Sequence, residues 1–260
     1  MKAIIVAAGI GSRLGELTKD TTKSLVNVND KPILTHQISI FKKLGIHDIT
    51  VIIGPHPEQY HFKDISFIHD KKFMEHDILS SFMLASSIMD TDVIVSYGDV
   101  IFDENILQPL IDFKDGIGLA IDFDWEKNYE KIDKKLKLEA TVSLVKNEKC
   151  IRIVDGRELQ KSNNHTIDEI FNSKNEKVGE FVGLMKLSKQ GGKIFCDVYE
   201  TLSKTHSGKF HEANSLSEAY FTDMIQELID SKIEVIPISV KGKWCEIDTM
   251  QDLKRAEELF

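Results

Sequence analysis

The chain has 260 residues, of which 42% are hydrophobic and 29% are charged, so it can bury the core of a water-soluble globular protein. Its formal net charge of −9 argues against a general nucleic-acid binder, because such proteins usually carry a basic excess. No apolar stretch approaches the roughly 20 residues of a membrane span, and the charged first segment does not fit a secretory signal peptide. We therefore expect a cytoplasmic protein that contacts neither nucleic acid nor membrane.

Strand patterns and helix patterns alternate through the first half of the chain. They predict, in order, a strand over 2–6, a helix over 33–44, strands over 49–53 and 66–69, a helix over 77–89 and a strand over 93–96. This alternation predicts an α/β fold in which a mostly parallel sheet carries helices on both faces. Ligands of such folds bind at the carboxyl ends of the strands.

The second half has a different pattern. It predicts an antiparallel strand pair over 138–144 and 150–153, a strand over 180–187, helices after Ser188 and over 215–231, a strand over 233–238 and a terminal helix over 252–260. The segments 124–137 and 157–177 are highly polar. We interpret the region of roughly 124–177 as a substrate-covering insertion within one domain that spans 1–260.

The loop after the first predicted strand suits a nucleoside triphosphate. Four of its residues are small, so few side-chain atoms separate the backbone from a ligand: Ala7, Ala8, Gly9 and Gly11. Ser12 and Arg13 then offer a hydroxyl and a guanidinium fork, and Lys23 follows ten residues later. Backbone amides and an arginine are the groups that bind and neutralise phosphate oxygens.

Two common phosphate loops do not match this segment. A dinucleotide-binding fingerprint needs a third glycine, and Leu14 stands at that position. A P-loop needs a glycine before its Lys-Ser pair, and Lys23-Ser24 lacks one. The remaining alternative is an ordinary strand and turn with a surface arginine.

The segments AAGIGSRL (7–14) and TKSL (22–25) resemble the signature of the nucleotidyltransferases that make nucleoside-diphosphate conjugates, and the resemblance continues to the C-terminus. It implies a Rossmann-like three-layer αβα sandwich with a mixed, mostly parallel sheet and a small β-rich insertion. In that family the loop wraps the base, ribose and phosphates, and the signature Arg and Lys stabilise the transferred phosphoryl group. Arg13 and Lys23 are the matching catalytic candidates. The matching nucleotide-binding candidates are Ala7, Ala8, Gly9, Gly11, Ser12, Ser81 and Gly98.

The same resemblance implies a magnesium site. Asp99 follows the strand predicted over 93–96, at the position where the family carries a Mg²⁺ ligand, and carboxylates suit that ion. Asp248 lies in WCEIDT (244–249), which resembles the family stretch whose Asp completes the site. Strand alternation would place Glu246 on the same face as Asp248. The alternatives are that Asp99 is a turn residue and that Asp248 caps the terminal helix.

Two further segments resemble the part of the family that binds the second substrate. The segment EHDILSSF (75–82) contains Asp77, which is either an acceptor contact or a simple helix cap. The segment EFVGLMK (180–186) resembles the strand that lines the acceptor pocket. There Glu180 could meet an ammonium, Gly183 allows close approach, and Lys186 either contacts a phosphate or reaches solvent. Glu246 is a further acceptor candidate.

These features favour a CTP-dependent cytidylyltransferase with Mg²⁺ as cofactor. A Val-Glu-Lys-Pro stretch, usual in enzymes that act on sugar 1-phosphates, is missing from the sequence. The chain resembles the cytidylyltransferases that act on phosphocholine, aminoethylphosphonate or phosphorylated amino acids. Among these enzymes, the segments 97–102 and 122–125 most resemble the type associated with phosphorylated glutamine in capsule decoration. The alternatives are a sugar-1-phosphate uridylyl- or thymidylyltransferase and a non-catalytic nucleotide-binding module. We expect a monomer or a homodimer.

Overall fold

A computed structural model describes residues 1–129, 140–155 and 176–260. Its strands are β1 (Lys2–Ala7), β2 (Asn27–Val28), β3 (Lys31–Pro32), β4 (Ile49–Ile53), β5 (Ser66–His69), β6 (Val93–Tyr97), β7 (Val100–Phe102), β8 (Ile117–Asp122), β9 (Thr141–Lys146), β10 (Lys149–Asp155), β11 (Lys177–Leu187), β12 (Val235–Ser239) and β13 (Trp244–Glu246). Its α-helices are α1 (Ile33–Lys43), α2 (Ile78–Met83), α3 (Glu104–Asp112), α4 (Lys189–Thr205), α5 (Phe221–Asp230) and α6 (Met250–Leu259).

Nine strands form one mixed sheet, in which β10, β9, β11, β6, β1, β4 and β5 follow one another and β8 joins β11 to β12. The pairs of β1 with β4 and β6, of β4 with β5 and of β8 with β12 are parallel. Only β10 and β11 run against the other seven strands of this sheet. The predicted α/β class with a mixed, mostly parallel sheet is confirmed.

Alternate residues of β1 face the two sides of the sheet, as the strand geometry requires. Ile4 and Val6 belong to a core that also holds side chains of α2, α4 and α5. Ala3 and Ile5 belong to a second core with side chains of α1 and α3. The helices therefore form layers on both faces, which is the predicted three-layer sandwich.

Two predicted helices are shorter than expected. The helix predicted over 77–89 is α2 followed by a 3₁₀ turn at Ser86–Ile88. The helix predicted over 215–231 begins only at Phe221, because Tyr220 and Asp223 form a capping box that starts α5 there. The start of α5 therefore follows from its capping residues, which the apolar pattern of the sequence did not reveal.

The predicted antiparallel pair is present as β9 and β10, and β9 also pairs with β11. The hairpin is therefore continuous with the main sheet. Most of the polar insertion predicted over roughly 124–177 lies outside the described residues, at 130–139 and 156–175. The single domain over 1–260 stays a prediction. Within the described ranges, every helix is too short or too polar to span a bilayer.

Four neighbouring strands end at one edge of the sheet. The register pairs Ala7 of β1 with Ile53 of β4, Ile53 with His69 of β5, and Val6 with Tyr97 of β6. Because these strands are parallel, the loops after them converge. This edge therefore brings together loops that are distant in the chain.

We expect Gly98→Ala to destabilise this edge. A Cβ atom at Gly98 would lie 2.8 Å from Cα and Cβ of Ala7 and 2.9 Å from the carbonyl oxygen of Val6, so backbone must move to admit it. The cost should be about 1–3 kcal/mol in the free energy of unfolding, measured by urea denaturation. Gly9→Ala is the control, since its Cβ meets nothing within 4 Å and the change should stay within about 0.5 kcal/mol. Equal stability of the two variants would contradict the packing argument.

Candidate active site

A pocket of about 240 Å³ opens at the edge where β1, β4, β5 and β6 end. Its wall includes the loop after β1, the first turns of α2, the end of β6, the middle of β11 and one acid from β13. Of the predicted site residues, the wall includes Ala7, Ala8, Gly9, Arg13, Lys23, Asp77, Ser81, Gly98, Asp99, Gly183 and Glu246. Residues from distant parts of the chain therefore meet at one cavity.

The charged part of the site centres on Lys23. Its Nζ lies 2.7 Å from Oδ2 of Asp99 and also donates a hydrogen bond to Oδ1 of Asp248. Burial alone would lower the pKa of Lys23, but Asp99, Asp248 and Glu246 raise it above its ordinary value, so the ammonium is cationic. Arg13 adds a second cation, with Nη1 2.8 Å from Oδ2 of Asp248.

The loop after β1 continues into a 3₁₀ segment at Ser12–Thr18. Gly11 has φ +72°, and a Cβ there would lie 2.8 Å from Cβ of Lys23, so this glycine lets the loop pack on Lys23. Gly11 and the exposed Ser12 do not line the pocket, which departs from their predicted nucleotide contacts. In this structure Gly11 acts on the site through Lys23.

The C-terminal acids reach Asp99 through a small second sheet. β13 pairs with β7 in the antiparallel direction and places Glu246 opposite Val100, the neighbour of Asp99. The amide of Ile247 donates to the carbonyl oxygen of Asp99 at 3.0 Å. β13 ends at Glu246, so Asp248 enters the site from the turn beyond it, while Thr249 is the residue that caps α6.

Three carboxylates of this cluster fit a divalent cation. Asp99, Glu246 and Asp248 each offer an oxygen, and these atoms lie within 4.8 Å of one another. Oδ1 of Asp99 is buried and has no hydrogen-bond partner among the described residues. Oxygen ligands in such a group are the kind that Mg²⁺ takes.

The surroundings of Glu246 alter the pKa of its carboxyl group. The loss of solvation around its carboxylate raises its pKa above the ordinary value, and the negative charges of Asp99 and Asp248 raise it further. The residue as a whole is still exposed towards the pocket. Desolvation and, after it, the neighbouring negative charges thus favour the neutral form of Glu246, while Lys23 acts in the opposite direction.

Four of the five acceptor candidates lie at or next to the cavity, and Glu246 is one of them. Asp77 lines it and also caps α2, accepting from the amide of Ile78 at 3.1 Å, so both of its predicted roles remain compatible. Gly183 lines it with φ +76°, and a Cβ there would lie 3.0 Å from Val100 and 3.1 Å from Tyr97. Glu180 is buried on β11 and stands outside the wall itself.

Lys186 corrects one expectation. β11 runs against β6 and pairs Leu184 with Ser96 and Lys186 with Ile94, so Lys186 points away from the edge that carries the pocket. Its fully buried side chain reaches Oδ2 of Asp92 at 3.0 Å, and burial lowers its pKa. It stabilises the opposite end of the sheet and contacts no acceptor.

Sequence reasoning missed the acid that follows β5. Asp70 is buried, its amide donates to the carbonyl oxygen of Ile53 at 2.8 Å, and its carboxylate accepts from His76 and Ser81. His76 and Ser81 both line the cavity. The only signal in the sequence was a polar residue at the end of a predicted strand. No local pattern indicates that this residue contacts side chains six and eleven positions later.

Residues 3–121 match the profile of the MobA-like NTP transferase domain. This match bears out the predicted resemblance to the nucleotidyltransferases over the part of the chain that carries the loop after β1, and with it the predicted enzyme class.

Individual relatives extend the match to the whole chain. CTP:phosphoglutamine cytidylyltransferase of Campylobacter jejuni is 28% identical over 98% of both chains. Choline-phosphate cytidylyltransferase of Streptococcus pneumoniae is 33% identical over 39% of this chain and 46% of its own. Among solved structures, CTP:phosphocholine cytidylyltransferase from Streptococcus pneumoniae has a TM-score of 0.72 at 21% identity, covering 99% of this chain and 97% of its own. That structural similarity supports the fold.

We expect Lys23→Met to lower the free energy of unfolding by about 2–4 kcal/mol, because it leaves neighbouring carboxylates without their buried cation. The measurement is urea denaturation with a chelator present, so that no divalent ion replaces the lysine. Lys19→Met is the matched control, since Lys19 is exposed and meets only exposed Glu16 at 3.7 Å. A Lys23 variant as stable as the control would contradict the electrostatic role of Lys23.

Proposed function

We propose that the chain is a cytidylyltransferase that moves CMP from CTP to a small phosphorylated or phosphonate acceptor and releases pyrophosphate. The product is a CDP- or CMP-conjugate used to decorate cell-surface polysaccharide. The convergence of Arg13, Lys23 and Asp99 at one pocket, with Asp248 bonded to both cations from behind the wall, carries the proposal. Phosphoglutamine is the first acceptor to test, because the enzyme named for it is similar along 98% of both chains.

The reaction is an in-line displacement at phosphorus. An oxygen of the acceptor phosphate attacks the α-phosphorus of CTP, a new P–O bond forms, and the bond to the β-phosphate oxygen breaks. A phosphate monoester is mostly dianionic at neutral pH, since its second pKa is about 6, so the attacking oxygen needs no strong base. Catalysis then depends on positioning and on stabilising negative charge.

Two cations of the chain suit that task. Asp248 holds the Arg13 guanidinium on one side, while 53% of the Arg13 side chain remains exposed, so its other N–H groups can bind phosphate oxygens. Lys23 is kept cationic by the acids around it. As charge moves to the leaving pyrophosphate, both groups stabilise it.

Asp99 and Asp248, with Glu246 beside them, would hold Mg²⁺. The buried Oδ1 of Asp99 lacks a partner among the described residues, which supports a ligand role for that oxygen. When bound, the ion supplies positive charge for the α-phosphate and the attacking oxygen. The acids themselves orient Lys23 and Arg13.

The second half of the pocket suits an acceptor that carries an ammonium group. Tyr97 and Phe181 line it and stack edge to face, with ring centroids 6.0 Å apart. Glu246 also lines the pocket, and a bound cation would favour the ionised form of its carboxyl group. Aromatic faces and carboxylates both attract ammonium groups.

The cytoplasmic location and the monomeric or dimeric state stay predictions.

The test of this function is pyrophosphate release from CTP, UTP and dTTP, each with phosphoglutamine, phosphocholine, 2-aminoethylphosphonate and glucose 1-phosphate. We expect turnover with CTP and an amino-bearing acceptor, with the conjugate identified by mass spectrometry. Turnover with UTP or dTTP and glucose 1-phosphate alone would instead indicate a sugar-1-phosphate nucleotidyltransferase. Tight nucleotide binding without pyrophosphate release from any pair would indicate a binding module.

Arg13→Ala and Asp99→Ala test the residues in the same assay. Each should lower kcat by on the order of 10²–10³, as is typical when a preorganised charge contact is lost. Arg152→Ala and Asp115→Ala are matched controls on exposed surface outside the pocket and should keep wild-type rates. Near-normal rates in both site variants would overturn the mechanism.

The magnesium site has a readout that does not depend on turnover. Millimolar Mg²⁺ should raise the Tm of the CTP-bound protein, because a ligand that binds the folded state stabilises it. Asp99→Asn should remove most of that rise, while Asp115→Asn should keep it. A Tm that responds to Mg²⁺ equally in all three proteins would contradict a role for Asp99 in binding the ion.

A further inference from the structure

Three polar side chains form a network in the wall of the pocket. Oδ2 of Asp70 lies 2.7 Å from Nε2 of His76 and 2.7 Å from Oγ of Ser81. Oδ1 of Asp70 accepts from the amide of Lys72 at 2.9 Å. These three contacts hold both oxygens of the Asp70 carboxylate in place.

Asp70 can only accept in this network. Burial would raise its pKa, but the hydrogen bonds from Ser81, His76 and Lys72 outweigh that effect and lower it. The group is therefore an ionised carboxylate, which has no proton to donate. The Ser81 hydroxyl has a single proton, and it gives that proton to Asp70.

This bond decides what Ser81 can offer to a ligand. Once its proton points at Asp70, only the lone pairs of Oγ remain, so Ser81 accepts hydrogen bonds from the pocket. His76 and the Lys72 amide prevent Asp70 from turning away and releasing Ser81. Ser81 lines the same cavity as Ala8, Arg13 and Lys23, which are the proposed contacts of the nucleotide.

We propose that Asp70 is a positioning residue that makes Ser81 a hydrogen-bond acceptor and thereby selects a nucleotide base that donates at this point. Cytosine carries an amino group at its 4-position, where uracil and thymine carry a carbonyl oxygen. An acceptor pairs with the amino group and repels the carbonyl oxygen. The inference rests on the proposed function and names the feature by which CTP is preferred to UTP.

The test compares binding of CTP and UTP, measured by isothermal titration without acceptor. We expect the wild-type protein to bind CTP about tenfold or more tightly than UTP, since one buried hydrogen bond is gained with CTP and one acceptor is left facing another with UTP. Ser81→Ala removes the acceptor and should bring the ratio close to one. Ser81→Thr keeps the hydroxyl and should keep the ratio.

Asp70→Asn tests the positioning role. Its amide can donate to Ser81, which frees the Ser81 proton for the base, so the preference for CTP should collapse while Ser81 itself is unchanged. Ser80→Ala is the control, because Ser80 lies on the same helix but bonds to Ser217 and Tyr199 outside the pocket. It should keep the wild-type ratio.

A purely structural role of Asp70 would lower the affinity for both nucleotides equally, so an unchanged ratio in Asp70→Asn or Ser81→Ala overturns the inference. Equal binding of CTP and UTP by the wild type overturns it as well. If Asp70→Asn does not fold, as judged by its Tm, Ser81→Ala and Ser81→Thr decide. Preferential binding of CTP without pyrophosphate release from any acceptor would overturn the proposed transfer reaction and leave the base selection intact.

Discussion

The site depends on one cation held among several carboxylates. Lys23 keeps Asp99 and Asp248 together, and the acids in turn keep Lys23 protonated by raising its pKa. Such a group is costly to bury unless each charge has a partner. Under the proposed function, a nucleoside triphosphate and a divalent ion would bring further opposite charges into this corner, where the charges of the protein already compensate each other.

The fold supplies this arrangement through two different sheets. Parallel strands bring the loop with Lys23 and the turn with Asp99 to one edge of the main sheet. The acids near the C-terminus arrive from the short antiparallel pairing of β13 with β7. Glycine at position 98 lets the turn after β6 pack closely against β1, since any side chain there would collide with Ala7.

Specificity in the same pocket follows from hydrogen-bond direction. A hydroxyl can donate or accept, so a serine alone does not distinguish the bases. A buried carboxylate that accepts a hydrogen bond from the hydroxyl removes that freedom. Asp70 accepts such a bond from Ser81. In the proposed base selection, Asp70, His76 and Ser81 therefore act together, because the direction of the Ser81 hydrogen bond depends on all three.

The α/β class, most strand positions and the small residues of the loop after β1 could be predicted from the sequence, because apolar periodicity and local turn chemistry depend on neighbouring residues. Asp99 and Asp248 could be indicated as well, through segments similar to a known signature. The place of Lys186 at the far end of the sheet, and the contact of Asp70 with Ser81 at the pocket, could be seen only in the folded chain. These outcomes follow from strand direction and register, which arise from pairings between residues distant in the chain.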